Sequence, residues 1–165
     1  MTQHEIERKF VLPERPDLEH PPLAGSSRIA IEQTYLAGVD DATERVRLTR
    51  DDDGAERYYH TVKRRVSDLT REETEREIDR AEYQELWRRR DPERGTIRKT
   101  RYRFRYDGRL FELDVFDDPG GIVLLEVELP SEDEHVELPP FAGLREVTGD
   151  GAYANSELAR RAGRR

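Results

Sequence analysis

Hydrophobic and polar residues alternate along most of the chain with a period of two, which is typical of strands whose two faces differ. This alternation, or a composition rich in β-forming residues, predicts eight strands, at 4–11, 29–36, 44–50, 57–64, 72–79, 97–106, 110–116 and 122–129. Two connections contain strong turn formers, DDDG at 51–54 and Asp107-Gly108. The pattern therefore predicts a mainly β fold of antiparallel strands.

Helical patterns are fewer than strand patterns. Asp79 can cap a helix that runs through AEYQELWRRR, with Leu86 and Trp87 on its apolar side. A short helix is predicted to begin at Ser131, and the segment from Tyr153 to Ala162 is predicted to form a final helix. The fold class is then α+β, with a few helices flanking the strands.

The remaining segments predict one domain. Residues 13–27 contain four prolines and a glycine, which favours a loop. The chain shows neither an internal repeat nor a linker long enough to divide it. Residues 1–165 are therefore expected to form a single domain, which is an ordinary size for one hydrophobic core.

Charged residues share one face of each predicted strand, and the apolar residues occupy the other face. On the first strand, Glu5, Glu7 and Lys9 lie opposite Ile6 and Phe10. The acidic residues of the charged faces are Glu5, Glu7, Glu73, Glu75, Glu77, Glu112, Asp114, Glu126 and Glu128. The basic residues are Lys9, Arg45, Arg47, Lys63, Lys99, Arg101 and Arg103. The two signs segregate by strand.

Two interpretations of these faces are open. In an ordinary half-exposed sheet the charged face would lie in water. However, like charges stacked along one strand are unfavourable unless opposite charges or ligands lie nearby. In a closed eight-stranded barrel the charged faces converge on one lumen, where they could neutralise each other and bind divalent cations and a polyanion.

Composition and charge exclude several classes of function. The chain has no cysteine, so disulfides and thiolate metal sites are excluded. The net charge of −8 disfavours binding to duplex nucleic acid. Because the sequence contains neither a run of about 18 apolar residues nor a signal peptide, we expect a cytoplasmic protein that does not bind membranes. The four histidines lack metal-ligand spacing, and a carboxylate-rich site suits Mg²⁺ or Mn²⁺.

The order of the charged motifs resembles one known family. Glu5-Ile6-Glu7-Arg8-Lys9 fits the ExExK signature of CYTH domains, also called triphosphate tunnel metalloenzymes. Further similar segments follow in order: RVR at 45–47, TVK at 61–63, REETERE at 71–77, KTRYR at 99–103, FELDVF at 111–116, LEVEL at 125–129 and TGDGAYANSELA at 148–159. The chain is most similar to the small bacterial members that hydrolyse inorganic tripolyphosphate.

The resemblance implies an eight-stranded antiparallel tunnel and a role for each charged face. Phosphate oxygens would be bound by Lys9, Arg45, Arg47, Lys63, Arg101 and Arg103. One or two metal ions would be bound by Glu5, Glu7, Glu73, Glu75, Glu126 and Glu128. Asp114 would orient a basic residue, with Glu77 in a supporting role. Lys99 and Tyr35 would position or activate the attacking water, although Tyr35 could instead be a core aromatic residue.

These expectations define a substrate class and its rivals. The leading hypothesis is metal-dependent hydrolysis of a small-molecule triphosphate, inorganic tripolyphosphate, to pyrophosphate and phosphate. An adenylate cyclase, a thiamine triphosphatase and a non-catalytic polyphosphate- or nucleotide-binding module are the alternatives. Ala152 stands where relatives often have a basic residue, so a phosphate contact from the tail is in doubt. The sequence leaves the oligomeric state open.

Overall fold

A computed structural model describes residues 2–38 and 41–164. Its main feature is a closed antiparallel barrel, in the strand order β5-β4-β3-β2-β6-β7-β8-β1, which the pairing of β1 with β5 completes. The strands are β1 Thr2–Leu12, β2 Ser27–Tyr35, β3 Ala42–Asp51, β4 Glu56–Arg65, β5 Thr70–Ile78, β6 Ile97–Tyr106, β7 Arg109–Asp118 and β8 Val123–Glu128. A short β9, Arg145–Glu146, pairs with Phe10 and Val11 near the C-terminal end of β1. The predicted eight-stranded barrel is confirmed, and β9 was not predicted.

The two predicted turns connect neighbouring strands. Asp107 and Gly108, with φ angles of 49° and 73°, form the tight turn between β6 and β7. In the β3–β4 turn, the side chain of Asp51 accepts hydrogen bonds from the backbone of Asp53 and Ala55. Both hairpins fix the register that carries the charged residues into the lumen.

The main hydrophobic core lies outside the barrel. Phe10, Phe111, Leu125 and Val127 are buried on the face opposite the charged residues. Residues from the segments 13–26 and 129–144, such as Leu23, cover them. Because these segments shield the apolar face from water, the polar face of the strands can turn inward.

Helix α1, Arg80–Trp87, covers a second part of the outer surface. The carboxylate of Asp79 accepts a hydrogen bond of 2.8 Å from the backbone of Glu82, as a capping residue does. Leu86 packs on a small apolar cluster of β-strand residues, as predicted. The placement of Trp87 on the apolar side was wrong, since this side chain is 37% exposed and stacks under the guanidinium of Arg90.

The two other helix predictions need correction. Residues after Ser131 form a turn with one weak backbone hydrogen bond of 3.4 Å from Glu134, and the chain then continues as a covering loop. The final helix is also shorter than predicted: a 3₁₀ turn at Gly151–Tyr153 precedes α2, Asn155–Leu158. Beyond Leu158 the chain continues in turns with i→i+3 backbone bonds, such as Arg161 to Leu158, and the carbonyl of Ala159 also accepts from the backbone of Gly95.

The segment around α2 closes one end of the barrel. Leu158, Ala159 and Ala162 pack against inward residues of β6, β7 and β8, which are Ile97, Phe116 and Leu124. This apolar contact leaves the middle of the lumen as its charged part. Among the described residues, none of the helices has the length and apolar character needed to cross a membrane.

Candidate active site in the barrel lumen

The strand register places the predicted site residues opposite one another on the inner face. Lys9 of β1 pairs with Glu126 of β8, and Lys63 of β4 pairs with Glu73 of β5. Glu7 pairs with Glu128 across the same β1–β8 ladder. Because paired residues of an antiparallel ladder share a face, the acidic and basic rows meet inside the barrel.

Asp114 on β7 is the most tightly bound charge of the lumen. Its carboxylate, fully buried, accepts a 2.7 Å bond from Lys99 Nζ and two bonds of 2.7 and 2.8 Å from Arg101. Although burial would raise the pKa of Asp114, the Arg101 and Lys99 cations outweigh it and hold this pKa far below its ordinary range. Asp114 therefore stays ionised and accepts hydrogen bonds from both basic residues.

Lys99 is itself an unusual lysine. Burial lowers its pKa to about 8, because desolvation of the ammonium exceeds the attraction of Asp114. Its Nζ also lies 3.3 Å from Oδ1 of Asn155 in the closing segment. At neutral to alkaline pH this amine is thus available in part as an uncharged group.

Two carboxylates of the lumen are poorly compensated. Burial raises the pKa of Glu7 to about 7, with Glu126 adding to the effect. Burial and neighbouring carboxylates, first Glu5, raise the pKa of Glu128 to about 7 as well. Glu5 differs because Lys63 Nζ donates a 2.6 Å bond to it, and this cation lowers its pKa against the effect of burial. Glu7 and Glu128 are therefore positions where an added cation would stabilise the ionised form.

Arg45 and Arg47 project from β3 next to each other. Arg47 donates a 2.8 Å bond to Glu75, and Arg45 hydrogen-bonds the hydroxyl of Tyr35. The Nε atoms of both arginines are buried and have no hydrogen-bond partner among residues 2–38 and 41–164. Burial and the Arg45 cation lower the pKa of Arg47. Buried N–H donors on crowded cations are what an oxyanion ligand would satisfy.

A cavity of about 400 Å³ opens beside Arg45 toward one end of the barrel. Its walls include Lys9, Arg45 and Lys63, together with the β4–β5 hairpin and the loop 147–151. The two outer walls approach each other closely, since a Cβ on Gly149 would lie 3.0 Å from Cβ of Asp68. The cavity is therefore lined by basic side chains together with the acidic Glu7, Asp41, Asp68 and Asp150, and it is bounded by two loops.

Not every predicted residue lies at this cavity. Arg103 and Glu112 form a 2.8 Å ion pair toward the other end, and the Arg103 side chain is 43% exposed. Glu77 is exposed at that same end, beside a second, smaller cavity. Lys99 donates to Asp114 and Asn155, whereas Tyr35 bonds Arg45 and packs in the apolar cluster near α2. The lysine and tyrosine thus occupy separate hydrogen-bonding positions.

Three residues of the lumen were missed by the sequence analysis. Gln33 on β2 is fully buried, and its carboxamide has no partner in the part of the chain that the structure describes. Arg71 on β5 is opposite Glu5 in the ladder and lines the cavity. The third, Asn155, bonds Lys99 from the closing segment. Alternation could have identified the first two, because Gln33 precedes Tyr35 by two residues and Arg71 precedes Glu73 by two. Only the tertiary structure brings Asn155 to the site.

The lumen supplies oxygen ligands that suit a hard cation. Glu7 and Glu128 pair across two strands, and their raised pKa values mark uncompensated negative charge. Within the described ranges, no cluster of three or more His, Asp or Glu side chains is already arranged to hold a metal ion. Two of the carboxylates are held by lysines instead, since Lys63 binds Glu5 and Lys9 lies 3.6 Å from Glu126. The chemistry of the donor set fits such a cation.

Comparison with known proteins agrees with the barrel and its motifs. The model of the CYTH domain family matches residues 3–143. An inorganic triphosphatase of Nitrosomonas europaea is 38% identical over 94% of this chain and 96% of its own length. An inorganic triphosphatase of Acetivibrio thermocellus is 34% identical over 94% of this chain and 93% of its own length. A solved structure of an inorganic triphosphatase is 34% identical, covers 94% of both chains and has a TM-score of 0.61.

The structure defines a closed antiparallel barrel whose lumen carries charged side chains of both signs. This chain belongs to the CYTH domain family.

Proposed function

We propose that this protein hydrolyses inorganic tripolyphosphate to pyrophosphate and phosphate inside the barrel. The observation that carries the proposal is the pair of buried Nε donors on Arg45 and Arg47, which have no hydrogen-bond partner within residues 2–38 and 41–164. Arg45 also lines a cavity together with the cations Lys9 and Lys63. Such donors bind the oxygens of a phosphate chain by charge-assisted hydrogen bonds. The full-length similarity to two inorganic triphosphatases supports the same substrate.

Phosphoryl transfer mainly needs positioning of the phosphate chain and neutralisation of its oxygen charge. Lys9, Arg45, Arg47, Lys63 and Arg101 supply positive charge along the lumen. Asp114 orients two of the basic groups, Lys99 and Arg101. Lys99, in its neutral form, would accept a proton from the attacking water. Tyr35 would fix Arg45 rather than act as a partner of Lys99.

Mg²⁺ or Mn²⁺ is the proposed cofactor. Glu5, Glu7, Glu126 and Glu128 would hold it, and Glu73 and Glu75 lie on the adjacent strand wall. When bound, the metal would neutralise phosphate oxygens and reduce repulsion between the substrate and the carboxylates. The raised pKa values of Glu7 and Glu128 support a cation at these two residues.

The cavity favours an inorganic substrate over a nucleotide or thiamine derivative. Tyr35 is the only aromatic side chain among the described residues that line it, and this ring is engaged in the apolar cluster near α2. A base or a thiamine ring would need an apolar or stacking surface. The uncompensated carboxylates argue against a non-catalytic anion-binding module, because their negative charge would weaken the binding of an anionic ligand.

Phosphate release from tripolyphosphate, ATP, thiamine triphosphate and pyrophosphate tests the function. We expect release from tripolyphosphate with Mg²⁺ or Mn²⁺, and none with a chelator. Cyclic AMP formation from ATP would assign a cyclase instead. Binding of tripolyphosphate without release of phosphate under any condition would identify a binding module.

The pH dependence of kcat/KM is expected to follow Lys99. Because the pKa of Lys99 in the free protein is lowered from its ordinary value to about 8, the neutral amine accumulates as pH rises through that value. We expect kcat/KM for tripolyphosphate, measured from pH 6 to 10, to rise and level off above about 8. Lys99→Ala should lower kcat much more than it raises KM and should remove this dependence. A maximum on the acidic side would exclude Lys99 as the base.

A further inference from the structure

Gln33 is a buried residue whose carboxamide has both polar atoms unpaired within the described residues. It lies on the inner face of β2, is 0% exposed, and is one of the largest fully buried side chains. Neither Nε2 nor Oε1 has a hydrogen-bond partner among residues 2–38 and 41–164. An unpaired buried carboxamide destabilises the folded protein. If this position served only for packing, an apolar side chain of the same size would be more favourable.

The register places Gln33 between the phosphate-binding arginines and Lys99. Gln33 pairs with Arg47 on β3, and Arg45 lies two pairs further along on the same face, opposite Tyr35. On the other side, Lys99 of β6 is the diagonal neighbour of Gln33, because Lys99 pairs with Ile31. Diagonal neighbours on two paired strands lie about 7–8 Å apart, a distance that long side chains can span.

The unpaired atoms in this region demand a specific kind of ligand. The Nε groups of Arg45 and Arg47 are donors only, and so is Nε2 of Gln33; all three suit a phosphate oxygen. Oε1 of Gln33 is an acceptor and cannot bind an oxyanion. It requires a donor, and a water molecule adjacent to the phosphate supplies one. A carboxamide is the neutral group that meets both demands at once.

We infer that Gln33 is a catalytic residue that holds the attacking water through Oε1 and the terminal phosphoryl group through Nε2. This inference rests on the proposed triphosphatase function. A glutamine orients the attacking water in a similar way in GTP-hydrolysing switch proteins. Holding the water between Gln33 and Lys99 aligns its oxygen with phosphorus and leaves one hydrogen for each of the two residues.

The step balances in atoms and charge. The water oxygen forms a bond to the terminal phosphorus, while the bond from this phosphorus to the bridging oxygen breaks. The electron pair of the broken bond leaves on pyrophosphate. One proton of the water passes to the neutral amine of Lys99, and the other stays on the phosphate product. Gln33 exchanges no proton, so it acts by orientation alone.

Gln33→Met tests this role because methionine has nearly the same length but cannot form these hydrogen bonds. We expect kcat for tripolyphosphate to fall about 100-fold, with KM changed less than threefold. Gln33→Asn keeps the amide but withdraws it by one methylene, and it should also lower kcat. Gln3→Met is the matched control, since Gln3 lies on the inner face of β1 but is exposed at the other end of the barrel.

The stability of the variant gives an independent readout. Without substrate, Gln33→Met removes an unsatisfied buried amide, so its Tm should exceed the wild-type Tm by about 2–4 °C. A lower Tm, an unchanged kcat, or a raised KM with normal kcat would each overturn the role of Gln33. If the wild type and Gln3→Met also fail to hydrolyse tripolyphosphate, the proposed function itself is wrong.

Discussion

Asp114→Asn is expected to destabilise the protein by about 3–5 kcal/mol, the range measured when one partner of a buried ion pair is removed. Asp114 is fully buried and accepts bonds from both Lys99 and Arg101. Asparagine leaves these two cations without a counter-charge in a low-dielectric lumen. Because globular domains are stable by only about 5–15 kcal/mol, this loss is a large part of the total.

The measurement is the free energy of unfolding from urea titration monitored by circular dichroism. Asp117→Asn is the matched control, since Asp117 lies on the same strand but is exposed to solvent. We expect the control to change the unfolding free energy by less than about 0.5 kcal/mol. An equal effect of the two substitutions would show that the Asp114 network does not hold the lumen together.

Arg45→Met is expected to lower kcat/KM for tripolyphosphate by about 10²–10³-fold. Arg45 lines the cavity, is nearly buried, and directs an unpartnered Nε into the lumen. Its loss removes both a charge and a donor for phosphate oxygens. The methionine retains most of the packing volume, so the protein should still fold and the effect can be assigned to binding.

Arg50→Met provides the comparison on the same strand. Arg50 lies on the outer surface, is paired with Glu56 at 2.8 Å, and has a 45% exposed side chain. Its substitution should leave kcat/KM within about twofold of wild type, since exposed ion pairs contribute little. Near-normal kcat/KM in Arg45→Met would contradict the placement of the phosphate chain beside β3.

Much of the fold could be predicted because alternation is a local property of a strand. Glu5, Glu7 and Lys9 share a face whatever the rest of the chain does, since side chains alternate across a strand. The hairpin at Asp107-Gly108 was equally local, because its residues favour the positive φ angles of a tight turn. The helices were less predictable: the helical pattern extends to Ala162, whereas α2 ends at Leu158 and the chain continues there in turns.

The candidate site was predicted as a set of charges but not as a network. Lys99 and Tyr35 were expected to act together on the attacking water, and this stays a prediction; the structure adds that Asp114 accepts a bond from Lys99 and that Tyr35 lies beside Arg45. Alternation places Gln33 on the same face as Tyr35, but a single glutamine gives no sign that its amide is buried without a partner. Its importance depends on the absence of a partner for its amide among the described residues, which is a property of its surroundings.

The sequence by itself determined which charged side chains share a face of each strand, because side chains alternate across a strand. Turn chemistry determined the register of the hairpins. The tertiary structure alone decided which charges are compensated. Asp114 has two cations, whereas Glu7 and Glu128 share a region with other carboxylates. The physical reason is that electrostatic energy depends on distance and burial in three dimensions, and barrel closure sets both.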